Sequence, residues 1–246
     1  MELTQDAFLG GQLTIKQPKS GYRAAMDPVL LAAAVPALVR GKLLELGAGV
    51  GTASLCYAAR VPNVEVLGLE LQNNYAALAN QNANLNNLED RVKIISGDLL
   101  HPPPDLFPVH GFDQVMANPP YLTAAQAGRS PVEARNVANV EGDAGLKDWV
   151  NFALKMLKPK GGLTFIHRAD RVDEMISLLY GKAGDITIIP LWPFAGQSAK
   201  RVVVRARKSI RGPARLTAGL VLHADKERYT IEAARVLRDG GALRID

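Results

Sequence analysis

Four consecutive residues, Asn118-Pro119-Pro120-Tyr121, combine a hydrogen-bonding amide, two conformationally fixed backbone units and an aromatic ring. They follow Phe112–Ala117, an apolar run that reads as a buried strand. The Asn118 amide oxygen can accept a hydrogen bond from an amino group. The carbonyls beside the prolines can accept another, and proline's fixed φ aims them in one direction. The ring of Tyr121 can lie flat on a planar group. The set suits a planar molecule bearing an exocyclic or amide NH2. A plainer reading stays open, in which Pro-Pro ends the strand because proline cannot donate to the ladder.

A second constellation begins at Glu45-Leu46-Gly47-Ala48-Gly49-Val50-Gly51. Glycines between a strand and a helix permit a tight turn and close approach of a ligand to backbone. The spacing departs from the dinucleotide fingerprint, because the third glycine comes one residue early. Glu45 opens the loop, and an acid there suits a sulfonium and an ammonium group better than a pyrophosphate. Glu70 closes the next strand, where it can accept from two ribose hydroxyls. Asp98, in Ser96-Gly97-Asp98-Leu99, closes the third and can accept from an adenine amino group. Leu71 and Leu99 follow the two acids and are counted in the same pocket. Each acid alone reads as a solvated loop residue. Three at successive strand ends around a glycine turn describe a pocket for S-adenosylmethionine.

The pattern around these motifs alternates strand and helix. Residues 42–46, Val64–Glu70, 92–95, Phe112–Ala117 and 163–167 read as strands. Thr52–Arg60, 73–86 and 145–157 read as helices, the last stopped by Lys158-Pro159-Lys160-Gly161-Gly162. Asp170 is expected to cap a helix that runs to about residue 180. Such alternation implies an α/β fold with a doubly wound, mostly parallel sheet. Residues 185–191 and 200–207 are joined by a connection too short for a parallel crossover, so a C-terminal antiparallel hairpin is expected. Residues 216–222 and 229–237 then read as a strand and a short helix. The expected organisation is one domain over 1–246. In it 1–40 forms an N-terminal segment over the ligand, 41–208 the core and 209–246 an extension. The connection 122–144 is a candidate lid.

Composition narrows the class. With 246 residues and 48% hydrophobic content the chain has ample material for a core. One cysteine, Cys56, excludes a disulfide framework or a cysteine-built metal site. His101, His110, His167 and His223 lie scattered without ligand spacing, so no metal is expected. The N-terminus has no basic start, and the longest apolar run, 29–39, is broken by Pro36. A cytoplasmic protein is expected. The net charge of +5 leans weakly towards a polyanionic partner.

Together the glycine loop, Glu70, Asp98 and the Asn-Pro-Pro-Tyr motif resemble the Rossmann-like class I methyltransferases that act on amino groups, over about residues 40 to 208. The leading segment, Gln17-Pro18-Lys19-Ser20-Gly21-Tyr22-Arg23-Ala24-Ala25-Met26-Asp27, is similar to that of bacterial tRNA(Val) adenine-N6 methyltransferases. The resemblance implies that Gln17, Tyr22, Arg23 and Asp27 close over the cofactor, with Asp27 as a helix cap the competing reading. It implies Asn118, Pro119 and Tyr121 as catalytic residues, with Asn118 also at the cofactor. It implies Glu45, Gly47, Gly49, Gly51, Glu70, Leu71, Asp98 and Leu99 as cofactor contacts, and RNA, most often tRNA, as substrate. Ribosomal RNA guanine-N2 and protein glutamine enzymes carry related motifs and stay open. A small-molecule O-methyltransferase and a non-catalytic binding module are further alternatives.

From Lys200 to Arg215 there are seven basic residues and no acid. On a strand Arg201, Arg205 and Arg207 share one face. Two readings stand level: a surface for RNA phosphates, or protection of a sheet edge.

Overall fold

The computed structural model describes residues 2–21, 23–103, 108–121, 143–226 and 228–245. Tyr22 and most of the 122–144 connection therefore lie outside the described residues. Strands β1 (Leu3–Phe8) and β2 (Leu13–Pro18) form an antiparallel hairpin that the sequence pattern does not announce. Helix α1 (Met26–Ala34) leads to β3 (Gly41–Leu46), α2 (Thr52–Arg60), β4 (Val64–Glu70), α3 (Asn73–Leu85) and β5 (Val92–Ser96). After β6 (Phe112–Ala117) come α4 (Leu146–Met156), β7 (Leu157–Arg168) and α5 (Val172–Leu179). The chain finishes with β8 (Ala183–Phe194), β9 (Arg201–Lys208), β10 (Arg215–Leu216), β11 (Leu220–His223) and α6 (Ile231–Leu237).

The main sheet has the order β10-β8-β9-β7-β6-β3-β4-β5, with β11 also on β8. Strands β3 to β7 pair in parallel, and β9 runs antiparallel to both β7 and β8. The central strands are buried on both faces, as parallel strands between helical layers must be. Leu44, Leu46, Val115 and Phe165 pack towards Trp149 and Val150 of α4 and Met175 of α5. Leu43, Met116, Ile166 and Val203 share the opposite core with α1, α2 and α6.

From β3 the chain winds outward through β4 and β5, then returns to the other side of β3 as β6. The winding reverses at that point, so the loops leaving β3 and β6 diverge from adjacent strand ends, where such sheets bind ligands. Leu46 and Ala117, the last residues of the two strands, are Cα partners. The glycine loop and the Asn-Pro-Pro-Tyr motif thus start side by side.

Local differences have local causes. Asp170 does not cap α5; its carboxylate takes both Nε and Nη2 of Arg168, at 2.9 and 2.6 Å. A bidentate charged pair outcompetes a single backbone N–H, and a 3-10 turn over Ala169–Arg171 starts the helix instead. The stretch 158–162 ends α4 as expected, but it is also drawn into β7. The expected strand over 216–222 is broken between β10 and β11, where Gly219 adopts φ +78 against the Pro190 carbonyl. The two pieces extend the same sheet. Among the described residues no helix is long and apolar enough to cross a membrane.

Candidate active site

The glycine loop is held by the end of β4. Gly47 and Ala48 N–H both donate to the Leu69 carbonyl, at 2.8 and 3.1 Å. Gly49 N–H donates to Glu70 Oε2 at 2.8 Å, and Gln72 N–H donates to Oε1 at 2.9 Å. Gly47 has φ +67, and a Cβ there would come within 2.6 Å of the Trp149 ring. A side chain at this position meets both backbone strain and the wall of the site. Among the described residues the buried Nε1 of the same ring has no hydrogen-bond partner.

Glu45 and Glu70 are 3% and 7% exposed. Glu45 Oε2 accepts from Ser54 N–H at 2.9 Å and from the Ser54 hydroxyl, fixing the first turn of α2. Burial pushes the Glu45 carboxyl up to about 8, its bonds to Ser54 pull the other way, and Glu70 adds to the rise. Burial likewise raises Glu70 against the pull of the N–H groups of Gln72, Gly49 and Leu71. Two buried acids at adjacent strand ends, both reluctant to ionise, form a site that favours a cation. Asp98 is half-buried; its Oδ1 accepts from Leu100 N–H at 2.9 Å, which holds its carboxyl below the usual range. Leu71 stands 68% exposed just beyond Glu70, an apolar surface at the rim, and Leu99 is half-buried beside Asp98.

The leading segment divides in two. Gln17 bridges Asp6 Oδ2 and Ala24 N–H, at 3.0 and 2.7 Å. Arg23 donates to Thr4 Oγ1, the Pro18 carbonyl and Asp6 Oδ2, between 2.6 and 2.8 Å. These groups lock the segment onto the N-terminal hairpin. Asn82, fully buried on α3, connects that hairpin to the loop by bonding Lys16 N–H, the Lys16 carbonyl and the Val50 carbonyl.

Asp27 is tied to the Asn-Pro-Pro-Tyr motif through Tyr121. It sits in the first turn of α1 without capping it, since Ala25 is the N-cap residue. Its Oδ2 accepts from the Tyr121 hydroxyl at 2.7 Å and from Arg201 Nε at 3.0 Å. The Tyr121 hydroxyl also lies 2.5 Å from Asn118 Oδ1. The Arg201 guanidinium covers one face of the Tyr121 ring, 4.4 Å from its centroid. Burial works against the Arg201 charge, but Asp27 and Tyr121 outweigh it and hold the group above its usual value. His167, at the end of β7, meets Tyr121 edge to face at 5.5 Å. Burial, with the charges of Arg171 and Arg201, depresses His167 to about 4, so the ring is neutral at pH 7.

Nothing in the local sequence marks Arg201, His167 and Trp149 as site residues. Arg201 falls within the basic stretch, and the direction of β9 separates it from the rest. The strand starts at the acceptor end of the sheet, where Arg201 faces Arg168, and carries Arg205 and Arg207 to the opposite end. Edge protection does not explain Arg201, Arg205 and Arg207, because β9 lies inside the sheet between β7 and β8; only Arg215, on β10, stands at an edge.

A glycine loop and an amide-proline motif at the reversal point of this sheet define a methyltransferase. The chain belongs to the small methyltransferase domain family, whose model matches residues 26–178. It is 30% identical over 175 residues to a tRNA1(Val) (adenine(37)-N6)-methyltransferase of Porphyromonas gingivalis, covering 69% of this chain and 68% of that one. A relative of the same name in Actinobacillus pleuropneumoniae is 28% identical over 195 residues, covering 78% and 80%. A crystal structure of a predicted O-methyltransferase from Agrobacterium tumefaciens superposes with a TM-score of 0.73 at 26% identity, over 89% of this chain and 98% of that one.

Proposed function

We propose that this protein methylates the exocyclic N6 amine of an adenine in tRNA, acting as a single domain in the cytoplasm. The methyl donor is S-adenosylmethionine. The residues present fit it: a glycine cradle where a Cβ would run into the Trp149 ring, and two buried acids that favour a cation. Gly47, Gly49, Gly51, Glu45, Glu70, Leu71, Asp98 and Leu99 would hold it, and its sulfonium supplies an electrophilic methyl carbon.

The observation that carries the reading is the convergence of Asn118, Tyr121, Asp27 and Arg201 at the end of β6. Adenine's amine is a poor nucleophile because its lone pair is delocalised into the ring. Asn118 Oδ1 and the Pro119 carbonyl each accept one of its hydrogens. Both contacts strengthen as positive charge develops on nitrogen, and they aim the lone pair at the methyl carbon. Tyr121 has one proton, and the Asp27 anion is its stronger acceptor. With the Tyr121 hydroxyl donating to Asp27, turning the Asn118 amide so that Nδ2 donates to the Tyr121 oxygen leaves Oδ1 free for the base. The splayed-out base stacks on the Tyr121 face opposite Arg201. An amine needs no base before transfer, and its proton leaves afterwards to water or a carbonyl. A hydroxyl acceptor needs a base first, and His167, depressed to about 4, is a weak one. That argues for nitrogen over oxygen. Supplying radiolabelled S-adenosylmethionine with tRNA, ribosomal RNA, a translation release factor or small phenols in parallel tests the reading, with label expected in tRNA.

Cofactor binding should also move a proton. Glu45, raised to about 8, carries its proton at pH 7. A cation placed beside it lowers that value, so binding releases up to about one proton per site. Calorimetry in phosphate and in Tris should give different apparent enthalpies, and Glu45→Gln should remove the difference. Equal enthalpies in both buffers with the unaltered protein would contradict the role of Glu45.

A further inference from the structure

At the end of the sheet away from Asn118, under Pro36 and Leu38, lies a cavity of about 700 Å³. Strand register builds its floor. Thr164, Arg205 and Thr187 are cross-strand partners on β7, β9 and β8, and Gln114 pairs with Gly162 two residues nearer the strand starts. The alternation of side chains puts Arg205, Arg207 and Thr164 on one face. Gln114 is four residues before Asn118 on β6, about 13 Å at the rise of a strand.

The charges around this cavity do not balance. Lys158, Lys160, Arg205, Arg207 and Arg215 line it against two acids, Asp113 and Asp185. Asp113 is taken by Lys158 at 2.7 Å and Asp185 by Arg207 at 3.5 Å. Five cations less two anions leaves three, and Lys160, Arg205 and Arg215 have no ion pair among the described residues. Arg205 is half-buried; desolvation and then the charge of Arg215 both push its pKa down. A half-buried guanidinium with the exposed Arg215 guanidinium as its neighbour is unfavourable unless an anion joins the two.

The floor holds a second, independent signal. Among the described residues Thr164 Oγ1 and Gln114 Oε1 have no hydrogen-bond partner, and they lie on residues 0% and 8% exposed. Buried polar groups are almost always satisfied, so two orphans in one polar cavity call for a partner from outside the chain. A hydroxyl can donate to a phosphate oxygen, and an amide oxygen can accept from a ribose hydroxyl or a base amine. The volume suits a nucleotide.

We propose that this cavity is a phosphate-binding site, separate from the methyl-transfer site, that takes a nucleotide phosphate either from the RNA strand or from a free nucleotide. Only the RNA source rests on the reading of tRNA as substrate. The test titrates adenosine 5′-monophosphate into the full chain by calorimetry and measures tRNA binding at several salt concentrations. Two double variants are compared: Arg205→Gln with Arg215→Gln, and Lys160→Gln with Arg215→Gln. The second alters only exposed side chains, so it keeps the test open if the first folds poorly. Nucleotide affinity should fall about ten- to a hundredfold in the first variant, with S-adenosylmethionine affinity unchanged. If the RNA strand is the source, tRNA affinity falls too, its log-log salt slope flattens by about 0.7 to 0.9 per lost contact, and the mononucleotide competes. If a free nucleotide is the source, tRNA affinity stays the same while the mononucleotide is lost. Nucleotide and tRNA binding that are both unchanged in both variants would overturn the proposal. Failure to methylate RNA would refute the proposed substrate and leave the mononucleotide result standing.

Discussion

Replacing Asn118 with alanine should lower kcat for tRNA methylation by about 10²–10³-fold, the usual cost of one preorganised transition-state contact. The position explains the size of the effect. Asn118 follows the last residue of β6, whose Cα partner Leu46 leads into the glycine loop, so the proposed amine and methyl sites start from adjacent strand ends. Its oxygen contributes most where positive charge develops on nitrogen, which is why the loss falls on turnover. Cofactor affinity should change little, because the glycine loop is held by Leu69 and Glu70. Single-turnover kinetics, with S-adenosylmethionine affinity measured on the same samples, separates the two quantities. Undiminished turnover would mean that the Asn-Pro-Pro-Tyr motif only terminates a strand.

Glu70→Ala should act on the other half of the reaction, weakening S-adenosylmethionine binding by roughly one to two decades. The carboxylate has two duties. It accepts from Gly49 and Gln72 N–H and so fixes the loop, and its remaining lone pairs are available to the ribose. Removing it leaves two backbone donors without their acceptor, so the loop loses its shape as well as a ligand contact. The turnover of enzyme saturated with cofactor should fall less than the affinity does. Calorimetry decides the point: unchanged affinity in the variant, or tight binding of NAD by the unaltered protein, would contradict the assignment of this pocket.

Much of the fold is legible because its strands are short apolar runs bounded by glycine, proline or an acid. Val64–Glu70 and Phe112–Ala117 have the limits their sequences suggest. The glycine loop and the acceptor motif are continuous in sequence, so the chemistry of each can be read locally. The groups that position Tyr121 cannot. Asp27 lies 94 residues from Tyr121, and Arg201 lies 174 residues from Asp27. Convergence over such separations leaves no periodic trace. Arg201 shares its residue type and its strand face with Arg205, and only the direction of β9 in the sheet sends one to the acceptor site and the other to the distant cavity. The hairpin of β1 and β2 is hidden for another reason. It is held by the side chains of Asn82 on α3 and of Asn86, the residue that caps the end of that helix, which bond the backbone of β2, and no apolar pattern reports such contacts.

The most direct test of the central claim is the identity of the modified nucleoside. Unmodified tRNA is incubated with the protein and S-adenosylmethionine, digested to nucleosides, and analysed by chromatography and mass spectrometry against methylated standards. The account predicts N6-methyladenosine as the product, absent when Asn118→Ala replaces the unaltered protein over the same short incubation. A methyl group found on a ribose oxygen or on guanine N2, or tRNA left unmethylated while a protein or a phenol is labelled, would contradict it.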